Sequence, residues 1–168
     1  MRIRTKTLYG VLGAGVTLAF LGHGVLGAKG KESFIELVTG TYDKVLGGTM
    51  STSTAESWVN FIGWLDIGLA VAFLGLTLSA ITGRDSIAYS PVAMYLFGWA
   101  MVWGFLTALS RYTAGLEGIA VWDVVERGPN YLAPAAFVYI VHRKMQSTTR
   151  ATKAEPTGKV PSTPVPTH

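Results

Sequence analysis

The side chains best suited to chemistry in this sequence are polar groups within or beside long apolar stretches. Asp66 lies inside one such stretch, and Arg111 closes another. A charged group at membrane depth is costly unless it is paired, so each one is a candidate site residue. An acid and an arginine in that setting can pair with each other, bind a ligand of opposite charge or exchange a proton. The polar candidates are His23, Asp66, Arg111, Glu126, Arg127 and Asn130.

Two tryptophans form a second candidate feature. Trp99 and Trp103 stand one helical turn apart in the middle of an apolar stretch, away from the interfacial belts where Trp is enriched in membrane proteins. Aromatic side chains four residues apart on a helix are usually packing residues. Their position also fits the wall of a pocket for a flat apolar ligand such as a quinone ring, so both interpretations stay open.

Several kinds of chemistry are excluded or disfavoured. The chain has no Cys, which excludes thiol nucleophiles, iron–sulfur clusters and thiolate zinc sites. It also lacks the Walker A, G-x-S-x-G, H-E-x-x-H and dinucleotide-binding motifs. His23 lies between two glycines, where close helix packing favours a hydrogen-bonded histidine over a metal ligand, so no metal site is predicted. The basic C-terminal segment lacks interleaved aromatic residues, and no nucleic-acid binding is expected.

The elements that must position these residues are predicted to be membrane-spanning helices. Hydrophobic residues make up 49% of the 168-residue chain and charged residues 14%, against roughly 25% charged in soluble domains. Four apolar stretches are close to the ~20 residues that a bilayer crossing requires. They cover residues 8–28, 58–82, 91–110 and 129–145. The sequence therefore predicts an all-α membrane protein, with a four-transmembrane-helix bundle over residues 1–145.

Two segments outside these spans have patterns of their own. In the first outer loop, Phe34, Val38, Tyr42 and Val45 recur at helical spacing among charged residues. This pattern predicts a short amphipathic helix that lies on the membrane surface or caps the bundle. Residues 146–168 are rich in Thr, Pro, Ser and Lys, and we predict a disordered cytoplasmic tail.

The distribution of Lys and Arg predicts the orientation. With four spans and the N-terminus inside, the inner segments carry nine basic side chains against two acids, and the outer segments carry five against eight. Because basic residues are retained on the cytoplasmic side, both termini are predicted to be cytoplasmic in a multi-pass protein of the cell membrane. A competing interpretation is a cleavable signal peptide over residues 1–28, for which Leu26-Gly27-Ala28 would be a poor cleavage sequence.

This topology brings the six polar candidates to the outer end of the bundle. We expect Asp66 to pair with Arg111 or Arg127, and Glu126 to pair with the other base. In the alternative interpretation the two arginines are interfacial anchors, and Asp66 only fixes the register of the helices.

The two C-terminal spans also resemble a known family. The run Trp99-Ala-Met-Val-Trp103-Gly-Phe-Leu-Thr-Ala-Leu-Ser-Arg111, followed by Glu126-Arg127-Gly-Pro-Asn130-Tyr and Pro134, resembles the second half of DoxX-like membrane proteins. His23-Gly24 and the segment from Gly63 to Gly68 are similar to motifs of the first half of that family. The resemblance covers residues 8–144. Pro129 and the long first outer loop depart from the family pattern.

The resemblance implies a four-helix bundle that serves as an accessory membrane subunit of a quinone-linked oxidoreductase or similar complex. It makes a quinone the expected small molecule, and the lipid bilayer, a membrane oxidoreductase or a second copy of the chain the expected partners. Whether the chain is itself an enzyme stays open.

Two other functions compete with this one. In a small transporter, Asp66 would be the proton site, the arginines would hold an anion, and a cavity would continue past Asp66. In a purely structural or assembly protein, the acids and arginines would be fully paired without a cavity. A quinone subunit should instead have an apolar slot, open to lipid, against Trp99 or Trp103.

Overall fold

The computed structural model describes residues 5–114 and 121–154, and all regular structure in these residues is α-helical. The helices are α1 Thr5–Ala28, α2 Glu32–Leu46, α3 Thr52–Ile81, α4 Asp85–Ala88, α5 Pro91–Thr113, α6 Val121–Glu126 and α7 Gly128–Ala154.

Three of these helices, α1, α3 and α5, are each long and apolar enough to cross a membrane. They match the first three predicted spans, although α3 begins six residues before the predicted position. It begins early because Ser51 caps it, with its hydroxyl accepting a hydrogen bond from the Thr54 backbone N–H. The helix at the fourth predicted position, α7, does not reach the same apolar character, since its second half is polar.

Local sequence signals set the tight turns between the long helices. Gly30 and Gly83 adopt left-handed backbone conformations, with φ of 66° and 82°. Each one closes a helix, because the next backbone N–H turns back to a carbonyl five residues earlier: Lys31 to Leu26, and Arg84 to Ser79. Ser90 then caps α5 ahead of Pro91.

Glycines bring the helices together in two antiparallel pairs. In the first pair, Gly24 and Gly27 of α1 face Gly63 of α3, and a Cβ on Gly63 would lie 2.6 Å from the carbonyl carbon of Gly27. In the second pair, α5 meets α7 where Gly104 faces the backbone of Asn130. Small residues allow this backbone approach, as in membrane helix pairs generally. The contacts between the two pairs are fewer, and α3 and α5 touch at only a few points.

An aromatic layer joins the two pairs. Its members are Tyr9, Phe73, Phe97 and Phe137, each fully buried. Phe97 stacks on Phe73 at 5.1 Å and on Phe137 at 4.1 Å between ring centroids. Tyr9 packs edge-on against Phe137, and its hydroxyl donates a hydrogen bond of 2.9 Å to the Ala88 carbonyl.

Helix α2 lies against α3 and α5 at the other end of the bundle, where α1 and α5 finish and α3 and α7 begin. We call this end the α2 end. A Cβ on Gly40 would lie 2.8 Å from the Ala114 carbonyl oxygen, so α2 approaches α5 closely. The Thr41 hydroxyl donates a hydrogen bond of 3.3 Å to the Ser110 carbonyl.

The start of the disordered tail was predicted too early in the chain. The prediction placed its start at residue 146, whereas α7 continues through Ala154. Residues 146–154 contain no Pro, and the hydroxyls of Ser147 and Thr148 bond back to the Lys144 carbonyl at 2.7 and 3.2 Å, which is compatible with a helix. The rest of the predicted tail, residues 155–168, lies outside the described residues.

The contact between α1 and α3 leads to a prediction. We expect Gly63→Leu to destabilise the protein by about 1 to 3 kcal/mol, because the added side chain would overlap the α1 backbone. The matched control is Gly68→Leu on the same helix, where a Cβ meets nothing within 4 Å. Thermal unfolding in a mild detergent should show a lower Tm for Gly63→Leu alone. Equal melting of the two variants would contradict the role of this contact.

Candidate functional site

A cavity of about 730 Å³ lies at the α2 end, between α1, α2, α3, α5 and α7. Small-molecule sites typically enclose roughly 300 to 1,000 Å³, so this one can hold a sizeable organic molecule. Most of its wall is apolar. The acidic, basic and amide side chains on the wall are His23, Asp66, Arg111, Arg127 and Asn130.

Asp66 and Trp103 are the deepest lining residues on α3 and α5, and we call this part of the cavity the floor. Asp66 is only 5% exposed, and its carboxyl group is hydrogen-bonded to the Trp103 side chain. This bond connects α3 and α5 at a depth where the two helices are otherwise poorly joined. The second carboxyl oxygen, Oδ1, has no hydrogen-bond partner within the described part of the chain. A buried oxygen in that state is available to a ligand.

His23 and Arg127 meet on the α1 and α7 side of the cavity. The Arg127 Nη1 atom lies 3.5 Å from His23 Nε2. Because a guanidinium only donates hydrogen bonds, this contact requires an unprotonated Nε2 on His23. The imidazole also packs edge-on against Phe34 of α2, with ring centroids 6.1 Å apart. The pair therefore links α7 to the underside of α2.

Arg111 lies in the last turn of α5, half-buried on the cavity wall. Residues 5–114 and 121–154 give it neither a hydrogen bond nor an ion pair. The negative end of the α5 dipole favours a cation at this position, but it does not replace a counter-ion.

The cavity extends deepest along α1, where Val16 and Phe20 line it, and it is open at the side. Its deepest wall residues on α3 and α5 are Asp66 and Trp103, and the aromatic layer lies beyond them. Four large apolar residues of the wall are instead well exposed: Val45, Leu46, Trp58 and Leu106. They belong to the C-terminal end of α2 and to facing parts of α3 and α5, so the opening lies between these helices.

The predicted site residues are only partly brought together. Trp99 does not line the cavity; it is 46% exposed and stacks on Trp103 with ring centroids 5.9 Å apart. Glu126 is exposed and also lies outside the cavity wall. The predicted pairing of Asp66 with an arginine is wrong. Trp103 is its partner instead, because Arg127 turns to His23 and Arg111 lies two helical turns above Trp103.

Two wall residues, Thr107 and Phe20, were not predicted from the sequence, although their helical spacing from predicted site residues could have identified them. Trp103, Thr107 and Arg111 follow one another at intervals of four, which places them on one face of α5, and all three line the cavity. Phe20 of α1 precedes His23 by three residues and lines it as well. The same spacing rule would have found both.

Comparison with protein-family models, with curated proteins and with solved structures finds no match to this chain.

Proposed function

We propose that the chain is a four-span membrane protein that holds a quinone-type molecule in the cavity, as an accessory subunit of a quinone-linked membrane oxidoreductase. The observation that carries the proposal is the shape and lining of the cavity. It is apolar, closed by the aromatic layer and open to the side between α3 and α5. A lipid-soluble ring with an apolar chain would enter such a cavity from the bilayer.

The residues at the floor fit a quinone ring. The Trp103 ring offers a flat apolar surface, and the unpartnered Oδ1 of Asp66 offers a polar contact beside it. A quinone bound there would supply electron-carrying chemistry, whereas Asp66 and Trp103 would orient the ring. The electron donor would belong to the partner oxidoreductase.

The length and packing of α7 support a fourth span. Its 27 residues extend about 40 Å, more than the ~30 Å core of a bilayer. It packs along α5 and buries Phe137 and Val141 completely. A helix that follows a spanning neighbour in this way is expected to cross with it. The charge distribution then favours cytoplasmic termini in the cell membrane.

The cavity supports a quinone site better than the competing functions. A transport path would have to cross the level of Phe73 and Phe97, where the stacked rings of the aromatic layer fill the bundle. A purely structural cluster would leave no cavity, and Arg111 would have a partner among the described residues.

The topology can be tested with single cysteines, since the chain has none of its own. We expect a membrane-impermeant maleimide to label Thr49→Cys, between α2 and α3, on intact cells. Ser86→Cys in α4 and Gln146→Cys in α7 should react only after permeabilisation. Labelling of Ser86→Cys on intact cells would reverse the orientation, and labelling of Gln146→Cys alone would show that α7 does not cross.

Quinone binding can be tested by filling the cavity. We expect decylubiquinone to bind the purified protein in mild detergent, and Ala133→Phe to weaken this binding at least about tenfold, since Ala133 lines the cavity. The matched control is Leu132→Phe, because Leu132 is 62% exposed on the same helix. Tryptophan-fluorescence titration measures the binding, and mass spectrometry of the native preparation identifies co-purified quinone and partner subunits. Equal binding by both variants, without co-purified quinone or oxidoreductase, would overturn the proposal.

A further inference from the structure

Among the described residues, the upper part of the cavity is lined by more basic than acidic side chains. The charges of Arg127, Arg111 and Lys31 all act on His23, so the three cations lie close to that ring. Among the described wall residues Asp66 is the only acid, and it is bonded to Trp103 at the floor. Arg111 therefore receives no counter-charge from the described residues of the cavity wall.

The floor and the rim are separate zones. Trp103 and Arg111 are eight residues apart on α5, which corresponds to about 12 Å along the helix. A carboxylate bonded at the floor is too far away to neutralise a guanidinium at the rim. The N-terminus of α7 begins at Gly128 beside the rim and adds partial positive charge there.

Arg111 is the basic side chain of the wall that most requires a counter-charge. It is half-buried beneath α2, and the described residues offer it no hydrogen bond. A guanidinium withdrawn from water without an anion is destabilising, so an oxyanion from a ligand would relieve that cost. The apolar wall next to it, with Leu37, Val38 and Leu106, suits a hydrocarbon chain that leads to the side opening.

We infer that the cavity binds an amphiphile with an acidic oxyanion head group, a carboxylate or a phosphate monoester, and a single hydrocarbon chain. Arg111 holds the head group through charge-assisted hydrogen bonds, and Arg127 lies near it on the cavity wall. The chain runs along the apolar wall and leaves between α3 and α5. A neutral quinone ring at the floor would leave this rim site unfilled, so the inference goes beyond the proposed function.

The test compares ligands of equal chain length by calorimetric titration of the full-length protein in neutral maltoside micelles, with protein-free micelles subtracted. We expect oleate or oleyl phosphate to bind at least about tenfold more tightly than oleyl alcohol, which has no charge. Free inorganic phosphate, which has no chain, should bind at least about tenfold more weakly than the better of the two acids. Which acid binds more tightly identifies the source of the head group.

Variants locate the head group. Arg111→Gln should weaken binding of the preferred acid about tenfold, whereas Lys44→Gln should leave it unchanged, because Lys44 is exposed at the same end but outside the cavity. Arg111→Lys should keep most of the affinity. Equal binding of the acids and oleyl alcohol by the wild-type protein would overturn the inference without any variant, and so would tight binding of the acid by Arg111→Gln. Decylubiquinone binding reports separately on the proposed function.

Discussion

The close backbone contacts at Gly63 and Gly104 determine most of the structure. They draw α1 onto α3 and α5 onto α7, and so divide the bundle into two tight pairs. The pairs are joined firmly only where the aromatic layer fills the space between them. Towards the α2 end, the described residues leave a cavity between the pairs instead. The cavity is therefore a consequence of helix pairing.

The polar residues take their properties from this division. Asp66 lies where the pairs begin to separate, so it reaches across to Trp103 and keeps one oxygen without a partner. His23 and Arg127 join the pairs on the opposite wall. Arg111 lies higher, where the described part of the wall offers no acid. The cavity thus combines a floor suited to a ring with a rim suited to an anion, and each zone has its own chemical requirement.

The sequence predicted the helices well and the side-chain partners poorly. The length of the apolar stretches was enough to locate α1, α3 and α5, because the run of apolar residues that a bilayer crossing requires can be counted in the sequence. The depth of His23, Asp66 and Arg127 followed from their distance to the ends of their spans, and all three line one cavity. Depth does not give the rotation of each helix about its axis, and the predicted Asp66–arginine pair failed for this reason.

The start of the tail was misjudged for a different reason. Composition indicated a polar segment from residue 146, but polarity does not end a helix when hydroxyl groups can bond to the preceding turn, as Ser147 does. The contribution of α2 was easier to predict, since its apolar spacing was clear. Which of its side chains would contact His23 depended on the close approach at Gly40, which cannot be read from periodicity.

The way α2 is held has a consequence for access to the cavity. None of its residues is fully buried, and left-handed glycines, Gly30 and Gly47, flank it on both sides. Few buried contacts mean a low free energy of local opening compared with that of the long helices. The amides of α2 should therefore exchange with solvent deuterium well before those of α1 and α3. Water-soluble molecules would gain their route to Arg111 during these openings, whereas lipids would use the side.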